Sequence, residues 1–183
     1  MSKNARTWWC VFLISTCVLV FGADAAQAAQ TGDAPPAPVP VAISTAKRIF
    51  ISNAGADSGL FPHPFSGTPD RAYNEFYGFM QGWGRYEIVT APADADLVFE
   101  LRLIAPNGPS NANKQKGASD PLPMFRLVIY DAKTRFVLWA LTESIFEAYV
   151  QKTHDRNFDD SLGLLVGDLK QVASRAPVAA AAR

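Results

Sequence analysis

Residues 53–67, with the sequence NAGADSGLFPHPFSG, are the first stretch whose side chains suggest chemistry. The tripeptide Asp57-Ser58-Gly59 has the form in which aspartic proteases present a catalytic carboxylate. That chemistry needs two aspartates that face each other and share one proton, and the chain has a single D-S-G. The residues directly before Asp57 are small and flexible. We therefore expect a solvated loop in which Asp57 and Ser58 bond nearby backbone groups.

The glycines of the same loop raise a second possibility, which is a phosphate site. Dinucleotide sites use G-x-G-x-x-G at the start of a helix, and triphosphate sites use G-x-x-x-x-G-K-[ST]. The sequence GADSG at residues 55–59 fits neither pattern, and residues 60–69, with three prolines, separate it from the next predicted helix. We therefore expect no nucleotide and no other cofactor.

The two histidines, His63 and His154, limit the metal and nucleophile chemistry that is available. They are far apart in the chain, and neither has a second ligand at metal-binding spacing. The charged run HDRNFDD at residues 154–160 lacks the glycine and the final glutamate of a calcium loop. We expect no metal site. One enzymatic alternative stays open, a small hydrolase in which Asp57, Ser58 and His154 converge in the fold.

Composition and charge describe an ordinary globular protein. The chain has 183 residues, of which 49% are hydrophobic, and 17 basic side chains balance 17 acidic ones. This length and composition favour one folded domain. Because the chain has no net positive charge, we expect neither nucleic acid nor an anionic membrane surface as its partner.

The amino terminus has the features of a secretory signal peptide over residues 1–28. Two basic residues precede an apolar run, TWWCVFLISTCVLVFGA, that is shorter than the ~20 residues of a membrane-spanning helix. Small residues predict cleavage before Ala26 or Ala29, which leaves no transmembrane segment. Cleavage also removes both cysteines, Cys10 and Cys17. We expect a periplasmic or secreted protein, with lipid anchoring at Cys17 as the alternative.

The rest of the chain divides into three parts by composition. Residues 29–45 are rich in proline and are predicted to be an extended linker. Residues 175–183 have the composition of a disordered tail. Residues 46–174 between them are long enough to form a single domain with one core.

Hydrophobic periodicity predicts five strands and two helices in this domain. Helix one covers residues 70–81. Helix two begins near Phe158, with Asn157 as its cap. Strand five is long and is bent or divided near Ser144. The predicted strands are residues 47–52, 85–90, 97–104, 124–130 and 135–150.

These elements predict an α+β fold with the order β-α-β-β-β-β-α. Consecutive strands joined by hairpins favour a mostly antiparallel sheet of about five strands, with the two helices on one face. The apolar stripes of the helices and the alternation of strand three then define the core. The predicted core residues are Phe76, Leu97, Phe99, Leu101 and Leu165.

Helices on one face leave the other face of the sheet open, and part of that face is apolar. Apolar patches of several hundred Å² usually mark contact sites, and long loops such as residues 53–67 and 106–123 are often functional. We therefore expect a surface that binds an envelope protein or a second copy of the chain. The candidate contact residues are Phe61, Phe65, Tyr130, Phe136 and Leu138.

Three fragments of the sequence carry a resemblance to known proteins: APADADLVFELRL, LVIYDAKTRFVLWALTE and RNFDDSLGLLVGDLKQV. Together they resemble small uncharacterised exported α/β domains of Gram-negative bacteria. Such domains look like those of envelope lipoproteins, including the curli-secretion lipoprotein and the activators of penicillin-binding proteins. The resemblance implies an extracytoplasmic domain without known catalysis, and it transfers no functional residue.

These observations favour an exported cell-envelope domain that binds or assembles with a protein and catalyses no reaction. Two alternatives remain. One is the hydrolase described above. The other is a small-ligand carrier, which would need an apolar cavity between the helices and the sheet.

Overall fold

A computed structural model describes residues 37–106 and 122–175 of the chain. The predicted signal peptide, the linker up to residue 36 and the tail beyond residue 175 lie outside the described residues. A short 3₁₀ turn, Pro92–Asp94, precedes the third strand. The helices and strands, in chain order, are α1 (Val41–Thr45), β1 (Arg48–Ala56), α2 (Arg71–Trp83), β2 (Glu87–Ile88), β3 (Leu97–Ile104), β4 (Met124–Asp131), β5 (Val137–Ser144) and α3 (Gln151–Ser174).

The strands form one mixed sheet in the spatial order β2-β1-β3-β4-β5. The predicted α+β class and the five strands are confirmed, and the predicted order is matched from β1 onward. The prediction of a mostly antiparallel sheet is met only in part: the sheet is mixed, because β1 runs parallel to both of its neighbours. The helix α2 returns the chain from the end of β1 to the start of β2, and such a crossover makes neighbouring strands parallel. Only β3, β4 and β5 pair as antiparallel neighbours.

Alternation along the strands separates a covered face of the sheet from an open face. The covered face packs against α2 and α3, which together enclose the hydrophobic core. The open face carries the other side chains of the same strands, such as Phe50, Val98 and Tyr130, which are neighbours in the cross-strand register. Each of the five predicted core residues is at most 1% exposed, so all five are confirmed: Phe76, Leu97, Phe99, Leu101 and Leu165.

The helix α1 lies in the segment that was predicted to be linker. Val39 and Ile43 are buried in the core, and the Tyr86 hydroxyl donates a hydrogen bond to the Ile43 carbonyl at 3.0 Å. The packed domain therefore includes residues before 46. Two apolar residues among prolines were too weak a periodic signal to show this from the sequence.

The helix α3 begins earlier, and the strand β5 ends earlier, than the sequence pattern predicts. α3 starts at Gln151, so Asn157 lies inside the helix and is not its cap. β5 ends at Ser144, and residues 145–150 connect it to α3. In the first turns of α3, Gln151 and Asp155 bond the loop that follows β1. These turns therefore lack the apolar stripe by which a helix start is recognised.

Phe158 lies at the centre of the aromatic part of the core. Its ring centroid is 4.9 Å from that of Phe125 and 5.2 Å from that of Phe65. We expect Phe158→Ala to lower the free energy of unfolding by about 3–5 kcal/mol, because it removes a fully buried ring and leaves a cavity. Urea denaturation of the chain without its predicted signal peptide, residues 29–183, measures this loss.

The matched control is Leu164→Ala on the same helix. The Leu164 side chain is 57% exposed, so its truncation should change the free energy of unfolding by less than about 0.5 kcal/mol. Equal losses in the two variants would contradict the described packing of α3.

Candidate functional site

A cleft opens at the end of the sheet at which the strands β1, β3 and β5 all finish. β1 and β3 are parallel, and both β3 and β5 are antiparallel to β4, so these three strands finish together where β4 begins. The cleft has a volume of about 230 Å³. We call it the end cleft. Its walls come from residues 58–60, 64 and 65, from Ala105 and Pro123, and from residues 145–148 with His154.

The amino-terminal turns of α3 hold the 53–67 loop in place. The Gln151 amide donates to the Pro64 carbonyl at 2.6 Å, and its oxygen lies 2.8 Å from His63 Nδ1. The Asp155 carboxylate accepts the Ser66 backbone N–H at 2.9 Å. These contacts fix the backbone of the loop from outside.

Two phenylalanines anchor the same loop from inside. Phe65 is fully buried, and its ring packs 5.2 Å from Phe158 and 6.2 Å from Phe61. Phe61 is partly buried against the core. The loop is therefore a fixed wall of the end cleft.

Arg71, the first residue of α2, joins this loop to both long helices. Its guanidinium contacts the carboxylates of Asp155 at 2.8 Å, Glu75 at 2.8 Å and Asp159. It also donates to the Ser66 carbonyl at 3.2 Å. The same group stacks over the Phe158 ring, 4.3 Å from its centroid. One cation thus connects α2, α3 and the 53–67 loop.

The residue that first suggested chemistry, Asp57, has a structural role. Its carboxylate pairs with Arg102 at 2.9 Å and accepts the Ala105 backbone N–H at 3.0 Å. Its own N–H donates to the Leu103 carbonyl. Both carboxylate oxygens are therefore used to tie the end of β1 to the end of β3.

The residues of the hydrolase alternative do not assemble into a catalytic group. Ser58 and His154 both line the end cleft. Within residues 37–106 and 122–175, no hydrogen bond joins His154 to Ser58 or to Asp57, whose carboxylate faces Arg102. Asp155, next to His154 in the chain, faces Ser66 and Arg71. A histidine without an orienting carboxylate lacks the geometry that activates a serine.

Four exposed apolar side chains belong to, or directly adjoin, segments that line the end cleft. Phe146 lines the cleft and is 74% exposed. Tyr149, which is fully exposed, and Val150 follow the lining residue Ala148, and the exposed Leu122 precedes the lining residue Pro123. We call these four residues the end surface. The Asn157 amide donates to the Phe146 carbonyl at 2.9 Å, which fixes the segment that carries the aromatic rings.

Sequence reasoning missed the end surface, because residues 145–150 were assigned to the long strand five. The spacing FEAYV, in which apolar residues flank a glutamate and an alanine without strict alternation, was the available signal.

The five contact residues predicted from the sequence lie in different environments. Phe136 is 74% exposed at the turn before β5, whereas Leu138, Tyr130 and Phe61 are partly buried. The prediction that Phe65 is a contact residue is wrong, because its ring is fully buried and has no surface to offer a partner. Whether the other four contact a partner stays a prediction.

The open face of the sheet is more polar than the sequence suggested. Arg102 and Arg126 are exposed and directly opposite each other in the register of β3 and β4. Glu100 accepts a hydrogen bond from the Tyr130 hydroxyl at 3.3 Å. Apolar residues of this face, such as Val98, are thus interrupted by charged residues.

Neither a metal cluster nor a membrane helix is found in the part of the chain that the structure describes. In residues 37–106 and 122–175, no three histidine, cysteine, aspartate or glutamate side chains are grouped as metal ligands. In the same ranges, no helix combines the length and the hydropathy that crossing a membrane requires.

Comparison with known proteins finds similarity in solved structures. No family model matches the chain, and no curated protein matches it. A PelC dodecamer from Paraburkholderia phytofirmans is 14% identical, with a TM-score of 0.42 over 71% of this chain and 89% of that one. The LpoB C-terminal domain from Salmonella enterica is 9% identical, with a TM-score of 0.35 over 55% and 83%. Uncharacterized lipoprotein B from Nitrosomonas europaea is 12% identical, with a TM-score of 0.38 over 74% and 84%.

The structures to which the chain is similar thus include a lipoprotein, the kind of protein that the sequence fragments resemble. At these identities and TM-scores, the similarity gives the chain neither a family nor a function.

The pKa of the Asp155 carboxyl is lowered to about 2. Burial opposes its ionisation, but the hydrogen bonds from Ser66 and the nearby Arg71 cation outweigh that effect. The pKa of Glu75, by contrast, is raised, because burial outweighs its contact with Arg71. Arg71 therefore stabilises the ionised form of both carboxylates, and the hydrogen bonds from Ser66 lower the pKa of Asp155 further.

The lowered pKa predicts how stability depends on pH. An aspartate in an unfolded chain ionises near pH ~3.9, so the interactions of Asp155 stabilise the fold fully above about pH 4 and are lost as the pH falls toward 2. We expect Asp155→Asn to lower the free energy of unfolding at pH 7 by about 1–2 kcal/mol, after allowance for solvent screening. The difference from the wild type should shrink between pH 4 and pH 2.

Urea denaturation of both proteins at several pH values measures this difference. The control is Asp160→Asn, an exposed position on the same helix, which should change stability by less than about 0.5 kcal/mol. A difference between Asp155→Asn and the wild type that stays constant down to pH 2 would contradict the described contacts of Asp155.

Proposed function

We propose that the chain is an exported cell-envelope domain that binds a protein partner through the end surface and catalyses no reaction. Export is supported by the charged, apolar and small-residue regions of residues 1–28. Partner binding is supported by the arrangement of apolar side chains around the end cleft.

The exposure of Phe146 and Tyr149 is the observation that carries the proposal. An aromatic side chain left in water forgoes roughly 1.5–3 kcal/mol of burial energy, and a single exposed ring needs no explanation. Here two exposed rings, Val150 and Leu122 belong to, or directly adjoin, the segments that line a concave cleft. Aromatic anchors around a pocket are the usual energetic centre of a protein interface.

The backbone that carries the end surface is held firmly, which also favours binding. The Ser161 hydroxyl donates to the Ser144 carbonyl at 3.1 Å, and Asn157 holds the Phe146 carbonyl. Ile145, between these two positions, is buried in the core. A surface that is fixed before binding loses less conformational entropy when the partner binds.

The two alternative functions have less support. The space between the sheet and the helices is filled by large, fully buried side chains, among them Phe76, Phe99 and Phe125. A small-ligand carrier would need that space to be open. The hydrolase would need a carboxylate to orient His154, and the nearby carboxylates face arginines instead.

Export of the chain is tested by its processed amino terminus. We expect the protein recovered from the cell envelope of its native host to begin at Ala26 or Ala29, because small residues precede these positions. Mass spectrometry of the intact protein identifies the first residue. A protein that keeps residues 1–28, or one that carries lipid on Cys17, would contradict cleavage at these sites.

Partner binding is tested by a photo-crosslinking amino acid placed at residue 149 of the full-length chain in its native host. We expect one defined crosslinked product with a protein other than this chain, because Tyr149 is fully exposed and follows Ala148, which lines the end cleft. The matched control is the same amino acid at residue 164 on α3, where the Leu164 side chain is also exposed. Equal crosslinking at both positions, or none at 149, would refute the proposal.

The energetic weight of the end surface is tested by the double variant Phe146→Ser and Tyr149→Ser. We expect the amount of the crosslinked protein that copurifies to fall at least about tenfold, because the loss of an aromatic anchor costs about 2 kcal/mol or more. Phe136→Ser, an equally exposed phenylalanine at the other end of β5, is the control and should retain the partner.

A further inference from the structure

The strand β5 is an edge of the sheet. It pairs with β4 on one side and is the last strand in the spatial order. The Ile145 N–H donates to the Pro123 carbonyl on the β4 side. Because the backbone groups of an antiparallel strand alternate in direction, those of Ala140 and Thr142 point away from β4. Among the described residues, no strand pairs with that side.

This edge has little of the protection that soluble proteins give to exposed strands. Natural edges are guarded by proline, by lysine, by bulges or by charges that point inward. Residues 137–142, VLWALT, contain no proline and no charge. The irregularity in the pairing with β4 lies at the start of β5, and the partly buried Glu143 lies near its end. The middle of the strand is therefore free to accept a further strand.

The charges that flank β5 select the direction of that strand. Lys133 and Arg135 precede β5 and are exposed, whereas Glu143 and Glu147 stand at or beyond its end. A second copy of β5 aligned in parallel would bring like charges together. An antiparallel second copy brings the basic end of each strand to the acidic end of the other, which is electrostatically complementary.

One antiparallel register also matches the exposed apolar residues. If Ala140 of each copy lies opposite Thr142 of the other, their outward N–H and C=O groups form reciprocal hydrogen bonds. The same register brings Phe136 near Phe146 of the second copy, two rings that are each 74% exposed. It also brings Arg135 near Glu147 of the second copy.

We propose that β5 pairs antiparallel with β5 of a second copy of this chain and joins two five-stranded sheets into one. The pairing uses hydrogen bonds at Ala140 and Thr142, and ion pairs between Arg135 and Glu147 at both ends. It goes beyond the binding of a protein partner proposed above. Phe146 belongs to both surfaces, whereas Tyr149 lies beyond the end of β5. Crosslinking from residue 149 to a different protein therefore tests partner binding, and the mass of the purified chain tests the pairing of β5.

The first experiment measures the mass of the mature chain, residues 29–183, by light scattering during size-exclusion chromatography. We expect a dimer for the wild type and a monomer for Thr142→Pro. Proline removes an N–H that points away from β4, so the fold of the domain should be retained. Thr142→Val keeps the N–H and the β-branched shape and should remain a dimer. Circular dichroism and urea denaturation establish that both variants are folded.

The second experiment reverses charges at the strand ends. Arg135→Glu alone and Glu147→Arg alone should each raise the dissociation constant of the dimer by about tenfold or more, because like charges then meet at both ends. The double reversal, Arg135→Glu with Glu147→Arg, should restore dimerisation, since the opposite charges meet again between copies. Restoration distinguishes a second copy from an unrelated strand at the same edge.

Three results would overturn the proposal. The first is a wild type that is monomeric at about 100 µM, the range of weak self-association. The second is a Thr142→Pro variant that is folded and still dimeric. The third is a double reversal whose dissociation constant stays as high as those of the single reversals. The variant Tyr149→Ser should remain dimeric while less of the partner protein copurifies with it, so the failure of one proposal is distinguishable from that of the other.

Discussion

The contacts of Arg71 are the interaction on which the arrangement of the end cleft depends. A single guanidinium at the start of α2 binds the carboxylate of Asp155 on α3 and the Ser66 carbonyl of the loop, and it covers the Phe158 ring. Without this cation, Glu75, Asp155 and Asp159 would face one another as like charges in a partly buried place. Removing one member of such a cluster is strongly destabilising, because the remaining charges lose their partner while they stay shielded from water.

The way in which α3 holds the loop also explains why the residues of the end surface are exposed. The first turns of α3 carry Gln151 and Asp155, which bond the loop at the end of the sheet. The connection from β5 must then cross in six residues, 145–150. Ile145 turns into the core, and the side chains of Phe146 and Tyr149 are left outside. The exposed rings therefore lie on the short connection between β5 and α3.

The sequence was sufficient for features that depend on local periodicity. Strict alternation predicted β3 and its buried residues, and the stripe through Phe76 predicted the buried face of α2, because burial on one face imposes the period directly. It was insufficient where distant segments decide the structure. The parallel placement of β1 depends on the path of α2 across the sheet, and the start of α3 at Gln151 depends on contacts with a loop some 90 residues earlier. The role of Asp57 was likewise invisible, because its partner Arg102 comes from another strand.

The central claim is that Phe146 and Tyr149 are covered by a protein in the cell envelope. Hydroxyl-radical footprinting measures the solvent exposure of these rings in the purified mature chain and in intact envelopes of the native host. We predict rapid oxidation of Tyr149 in the purified protein and strong protection of that ring in the envelope, while Phe79, exposed on α2, is oxidised equally in both. Equal oxidation of Tyr149 in the two samples would contradict the proposed binding.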